Sequence, residues 1–321
     1  MQLLRGLLAV VVSFAAVAAQ AQGYPTKPVK LIVGFEPGGN TDTVARVVAQ
    51  KLSERIGQQV VVENKAGASG TIGTAEAARA APDGYTLTMG TTTTHAIASA
   101  AYSKLTYDPI RDFDPIAMVG LAPYMLVVHP SFPAKDLKEF VAHVKANPGK
   151  FNYGSAGQAT TTHLVMATFA LNAGLDMVHV PFKGNAPATT AVLGNQVEIL
   201  FGGLPPLLTQ VGAGKLRALA ISTAKRSGSA PDVPTVAESG YPGYDMALWL
   251  GFFAPKGTPP AVIKRLETEL LAVARSPELK SALEKQGLEA YPLGASELGG
   301  VLKTDLETYK AVFKAARIPV Q

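Results

Sequence analysis

The chain contains no cysteine in 321 residues. Disulfides, thiolate nucleophiles and cysteine-ligated zinc are thereby excluded, whatever compartment the protein occupies. Charge is sparse as well: 17% of residues are Asp, Glu, Lys or Arg, and the net charge of +5 is the small difference between 29 bases and 24 acids. No basic run of the kind that binds a polyanion or a lipid surface is present, so a nucleic-acid partner is not expected and a small anion is the better match. Histidines are few, and those at 95, 129, 143, 163 and 179 include no pair three to five residues apart. The sequence therefore offers no metal site, and it calls for no cofactor.

What is abundant is apolar residues, 47% of the chain, enough for a large core and against disorder. The 31 glycines and 23 prolines imply many short elements joined by tight turns, and their lack of period excludes collagen. At the N-terminus Arg5 precedes an apolar stretch from Leu7 to Ala19 that ends in Ala19-Gln20-Ala21. This is the pattern of a signal peptide, residues 1–21, cleaved after Ala21. The stretch falls short of the roughly 20 residues that a membrane span needs, and no cysteine is there to be lipidated. The expected product begins at Gln22 and is soluble in the periplasm.

Beyond residue 22 short β-rich runs alternate with helical stretches, the signature of a mostly parallel α/β sheet. Strands are expected over Val29–Phe35, Gln59–Glu63 and Tyr85–Gly90, with helices over Thr41–Ile56 and Gly70–Ala80. A second set of strands follows near Met125–His129, Phe151–Gly154, Met177–Val180, Val197–Gly202 and Arg217–Ser222, with helices near Leu137–Ala146 and Thr160–Ala173. Two sheets are expected. The last quarter reads as helical, with Thr258-Pro259 and Ser276-Pro277 as N-cap and first-turn proline pairs and no strands of its own.

Two strand-to-helix junctions carry the chemistry, because ligands of open α/β sheets bind beyond the carboxyl ends of the strands. In Gly34 to Asp42 a Pro-Gly-Gly turn leads into a helix, and the N–H groups of Gly38, Gly39, Asn40 and Thr41 would converge on an anion. The alternative is an ordinary turn with an N-cap. The second junction, Phe151 to His163, has the same design with hydroxyls at Ser155, Thr160, Thr161 and Thr162. A third, Gly90 to His95, offers Thr92 and Thr93, though a threonine run after a strand is more often a helix cap. Gly154-Ser155-Ala156-Gly157 lacks the spacing of a nucleophile elbow, yet a secreted serine esterase or amidase using Ser155 stays the competing class. Gly67 to Gly73 departs from the dinucleotide fingerprint and is explained by close helix packing.

Taken with the stretches Tyr24 to Val33, Val61 to Ala68, Ala81 to Leu87, His179 to Gly184 and Pro231 to Glu238, these junctions resemble the Bug-type receptors, the extracytoplasmic solute-binding proteins of tripartite tricarboxylate transporters. The resemblance implies a type II periplasmic binding protein, an α/β fold of two lobes around a ligand cleft. One lobe would be built from 22–123 and 224–321 and the other from 124–223. It implies a monomer that closes on a small organic carboxylate and delivers it to membrane permease subunits, with no catalysis. Carried over by position, the ligand residues are Phe35, Gly38, Gly39, Asn40, Thr41, Ser155, Ala156, Thr160 and Thr161, with Thr92 and Thr93 as additions and Phe201 and Gly202 on the facing wall. Two positions depart from the family pattern. Glu36 stands where many relatives are uncharged, and Phe201-Gly202-Gly203 replaces a frequent Phe-Asp-Asn. With no acid there to meet an ammonium group, an amino-free acid is expected, a dicarboxylate and one that could be aromatic.

Overall fold

The computed structural model describes residues 23–320. The expected signal peptide and its cleavage point lie outside the described residues. Among those described, no helix is long and apolar enough to cross a membrane.

The first third of the chain runs β1 (Val29–Val33), α1 (Asn40–Ile56), β2 (Val60–Asn64), α2 (Thr71–Ala78) and β3 (Thr86–Thr91), with β2, β1 and β3 adjacent and parallel. Leu31, Val33, Val44, Val48 and Leu52 are buried together between β1 and the apolar stripe of α1, which is why this segment alternates period 2 with period 3.6. After a wide helical turn (Thr92–Ile97) and a one-turn helix α3 (Ala98–Ala101), the 16-residue strand β4 spans Phe113–Val128. The next third holds α4 (Leu137–Lys145), β5 (Asn152–Ser155), α5 (Thr161–Ala173), β6 (Val178–Pro181), α6 (Asn185–Leu193), β7 (Ile199–Gly203), α7 (Leu204–Gly212) and β8 (Arg217–Ile221). The chain closes with β9 (Ala247–Pro255), α8 (Pro260–Ala274), α9 (Pro277–Lys285), β10 (Glu289–Gly294) and α10 (Ala295–Ala315).

The ten strands are joined through β4, which belongs to both halves: eight follow the order β2-β1-β3-β9-β4-β7-β5-β6, and β8 and β10 pair with β4 off that path, so the two expected sheets are continuous with each other. Residues 113–123 of β4 pair with β9, and its residues 124–128 pair with β7. The last quarter also has strands after all. The continuously buried run of β9 lies antiparallel between β3 and β4, and β10 pairs with the first half of β4. Such an all-apolar run carries no alternation to mark it as a strand. Ser276 caps α9 as expected, accepting from the Leu279 amide at 3.3 Å. Thr258 does not cap α8: Pro259 is the N-cap and Pro260 the first helical residue, while the Thr258 hydroxyl donates to the Pro255 carbonyl at 2.8 Å.

The segment that returns from β8 to β9 stays with the second half at first. Thr235 bridges to Ile221, the Val236 amide donates to the Ile221 carbonyl at 2.9 Å, and the Tyr244 hydroxyl donates to the Val165 carbonyl at 2.7 Å. Where this segment passes back beside β4, Ser222 ties three segments of the chain together. Its amide donates to the Tyr124 carbonyl at 2.9 Å and its carbonyl accepts from the Met246 amide at 2.9 Å. Its hydroxyl accepts from the Tyr124 amide at 2.9 Å and donates to the Met246 carbonyl at 2.6 Å.

Candidate ligand cleft

Strand registers fix where the functional turns lie. Along β1 and β3 the chain runs toward the middle of β4, since Val33 pairs with Met89, Thr91 with Leu250, and Leu250 with Gly120. Strands β5 and β7 run the opposite way, and β7 ends with Gly203 opposite Tyr124. The carboxyl ends of both parallel sets therefore point at one another across residues 120–124 of β4. Each set is followed there by a turn and the N-terminus of a helix, α1 on one side and α5 on the other.

The first turn is shaped by a carboxylate that sequence reasoning assigned no role. Asp42 is 2% exposed and accepts from the Gly38 amide at 2.8 Å, from Arg46 Nε at 3.0 Å and, through its other oxygen, from Asn64 Nδ2 at 2.9 Å. Burial alone would raise its pKa, but these donors hold it below the ordinary carboxylate range. The Gly38 N–H, expected to face a ligand, is thus committed to Asp42, and Gly38 adopts a φ of +83° that glycine tolerates best. Gly39 is the N-cap of α1 and no side chain caps the helix. The first N–H groups of this helix have no intrahelical acceptor. Asn40 opens the helix, Phe35 is partly buried, and Glu36 is exposed. Behind the turn Gly34, Gly70 and Gly73 meet at backbone distance, as close packing predicts: a Cβ on Gly34 would lie 2.5 Å from the Gly70 carbonyl.

The second turn is internally bonded through its hydroxyls. Ser155 Oγ donates to the Gly157 carbonyl at 3.0 Å, accepts from the Gly157 amide at 3.1 Å and lies 2.6 Å from His179 Nε2. The Ala156 amide donates to Thr162 Oγ1 at 2.9 Å, and Thr160 Oγ1 donates to the Gly157 carbonyl at 2.8 Å. Thr160 is the N-cap of α5 without a side-chain cap, so the first turn of that helix presents unpaired donors. Burial raises the pKa of Tyr124 on the crossing strand to about 12, with neighbouring Thr161 acting in the opposite sense. His163 accepts the Ala159 amide at Nδ1, 3.1 Å away, and its ring stacks on that of His179. Burial, with the His179 charge second, lowers the His163 pKa to about 3, and burial lowers His179 to about 4. Both are neutral. A serine bonded to a histidine resembles a hydrolase pair, but Ser155 is fully buried and its hydroxyl braces a turn.

Three expected ligand residues sit elsewhere. Thr92 is fully buried, donates to the Ala247 carbonyl at 3.1 Å and accepts from the Trp249 amide at 2.9 Å. It fastens β9 to β3, and only the partly exposed Thr93 remains available from that turn. Phe201 is fully buried, edge-on to Phe169 at 6.3 Å, and offers no face to a ligand. Gly202 is not a vacated wall either, because a Cβ there would lie 2.8 Å from Leu207 Cδ1. Strand alternation explains both, with successive side chains entering opposite layers of core. Gly203, one residue on, has nothing within 4 Å of its Cβ position. Among the described residues no three His, Asp or Glu side chains are grouped to hold a metal ion.

With this geometry in view, comparisons with known proteins converge. Residues 44–318 match the family described as the tripartite tricarboxylate transporter family receptor. Protein BugT of Bordetella pertussis is 35% identical over 314 residues, 96% of each chain. A ligand-free TctC solute-binding protein from Polaromonas superposes with a TM-score of 0.85 at 29% identity, covering 91% of this chain and 99% of that one. An R. palustris protein solved with adipate gives 0.71 at 32% identity, covering 93% and 100%.

Proposed function

The chain belongs to the receptor family of tripartite tricarboxylate transporters, and we propose from that premise that it is a monomeric periplasmic receptor for an amino-free organic dicarboxylate. The family is one of periplasmic binding proteins with a two-lobed α/β fold, not of enzymes. The observation that carries the ligand reading is the pair of uncapped helix N-termini, α1 and α5, brought to the same level of β4 from opposite sides. Each offers N–H donors and the positive end of a helix, and a dicarboxylate supplies one anion to each. A charge-assisted bond contributes about 1.5–3 kcal/mol before desolvation and entropy costs. Three or four of them support micromolar affinity, about −8 kcal/mol.

The lobes that close are residues 23–123 with 247–320, and residues 124–246. Extending the second lobe past the expected 223 is part of this proposal, supported by the bonds of Thr235, Val236 and Tyr244 to Ile221 and Val165. The better superposition on the ligand-free relative than on the adipate complex supports an open arrangement here. An aromatic ligand loses its argument with the burial of Phe201, and Gly203 is the position on that wall where volume is free. After closure the receptor hands its ligand to the permease subunits.

Calorimetry with adipate, succinate, glutamate and aspartate tests this reading. Amino-free diacids should bind more tightly than amino acids of equal length, and the reverse order would refute it.

A further inference from the structure

A cavity of about 760 Å3 lies away from the carboxylate turns. None of its walls comes from the ligand residues expected on either side of the cleft. It is bounded by β4 and β10, by the far end of α5, by α10, and by the two chain segments that flank the crossover, residues 223–226 and 243–247. Its volume is in the range of small-ligand pockets, about 300–1,000 Å3.

The chemistry of the lining is asymmetric. Asp305 on α10 accepts the indole N–H of Trp249 at 2.7 Å, and Asp245 on the returning segment accepts the Ala224 amide at 3.0 Å. Neither forms an ion pair among the described residues. Burial, opposed by the Trp249 bond and reinforced by the charge of Asp245, pushes the Asp305 pKa up to about 7; Asp245 sits at the exposed rim, and its partial burial raises its pKa as well. The cationic neighbours do not compensate. Arg226 is engaged by Glu238 at 2.9 Å and by the Pro231 carbonyl at 3.0 Å, and Lys225 is exposed at the rim. Glu289 accepts the Ser227 hydroxyl. Trp249 and Tyr291 line the same cavity as the two carboxyls, with Met118, Leu293 and Val301 supplying apolar wall. Carboxyls without counter-ions, aromatic rings and aliphatic walls together are complementary to one kind of guest.

We propose that this cavity is a second ligand site, distinct from the carboxylate cleft, that takes a small organic ammonium ion with an apolar body, its charge against Asp305 and Asp245 and its body along Trp249 and Val301. Trp249 is the chain's single tryptophan, so its emission reports directly on occupancy.

The probe is 2-phenylethylammonium chloride, titrated into the whole receptor while Trp249 fluorescence is followed, with 3-phenylpropanoate as an anion of the same shape. The ammonium should give a saturable change that adipate and 3-phenylpropanoate do not displace. Asp305→Asn, which keeps an acceptor for the indole, should weaken it at least tenfold, and Val301→Phe, which fills the cavity, should abolish it. Asp245→Asn, nearer the surface, should weaken it as well and replaces Asp305→Asn if that variant does not fold. No saturable change, equal affinity in the Asp→Asn variants, or competitive displacement by adipate would each overturn the proposal. The last outcome would assign the signal to the carboxylate cleft, and a failure of adipate to bind at all would count against the proposed function while leaving this site standing or falling on the ammonium titration.

Discussion

The imidazoles of His163 and His179 lie face to face, 3.7 Å between centroids and 5° from parallel, although sixteen residues separate them in the chain. One begins α5 and the other sits in β6, and the Ser155 hydroxyl joins the pair to the turn between β5 and α5.

Such a pair tolerates no charge, and this sets a pH dependence. His95, buried against Phe253, is lowered to about 3 by burial, as His163 and His179 are lowered to about 3 and 4. An unfolded chain takes up these protons near the ordinary histidine value of 6.5, whereas the folded chain refuses them until much lower pH. Stability therefore rises with pH between about 4 and 6.5. Asp305, raised to about 7, and Asp245, also raised by burial, act in the opposite sense over that window, two groups against three. Urea denaturation from pH 4 to 7 should show the net increase, with a smaller slope in His179→Gln.

Asp42→Ala should loosen the first turn. It leaves Arg46, Asn64 and the Gly38 amide without their acceptor, at a cost of about 2–3 kcal/mol in stability. Dicarboxylate affinity should fall as well, although the Asp42 side chain meets no ligand in the proposed mode. Calorimetry and denaturant midpoints on the same variant separate the two effects.

Neighbouring glycines should respond oppositely to aspartate. Gly202→Asp drives a Cβ into Leu207 and should destabilise the fold by about 1–3 kcal/mol. Gly203→Asp meets open space, so its melting temperature should stay near that of the parent while affinity for a dianion drops. Equal loss of stability in both would show that residue 203 is packed.

Ser155→Ala should produce no change in p-nitrophenyl ester hydrolysis, because the parent protein has none to lose. It should cost about 1 kcal/mol of stability through its lost bonds to Gly157 and His179. Ester turnover that disappears in this variant would instead revive the hydrolase reading.

The exported protein should have the mass of a chain that begins at Gln22 and should be recovered in the soluble periplasmic fraction. Intact-mass measurement on the secreted material checks both.

Much of this architecture was legible before any coordinates. The strands and helices of the first third declare themselves by period, and both ligand turns declare themselves by glycine and hydroxyl content placed after a strand. What stayed hidden depends on long-range pairing. The run Ala247 to Pro255 has the composition of any buried segment, and only its neighbours β3 and β4 make it a strand. The commitments of the Gly38 and Ala156 amides were hidden for a different reason. A backbone donor near a helix start looks free in sequence, and whether Asp42 or Thr162 takes it depends on rotamers. The burial of Phe201 and the packing at Gly202 are not legible in sequence because one residue of strand phase decides which layer a side chain enters. His179 was passed over because ring stacking leaves no spacing rule behind.

Three chain segments bound at one residue can twist about one another but resist being pulled apart or slid lengthwise. Because Ser222 bonds to Tyr124 on one flank and to Met246 on the other, using backbone and hydroxyl alike, relative movement of the proposed lobes would be restricted to rotation about a short axis through that level of the sheet. A small change of backbone dihedrals there is amplified with distance, like the sweep of a door at its free edge. In the proposed receptor, the far surfaces of the two lobes would carry information about what the cleft holds, expressed as a single angle that a membrane permease would read without touching the ligand.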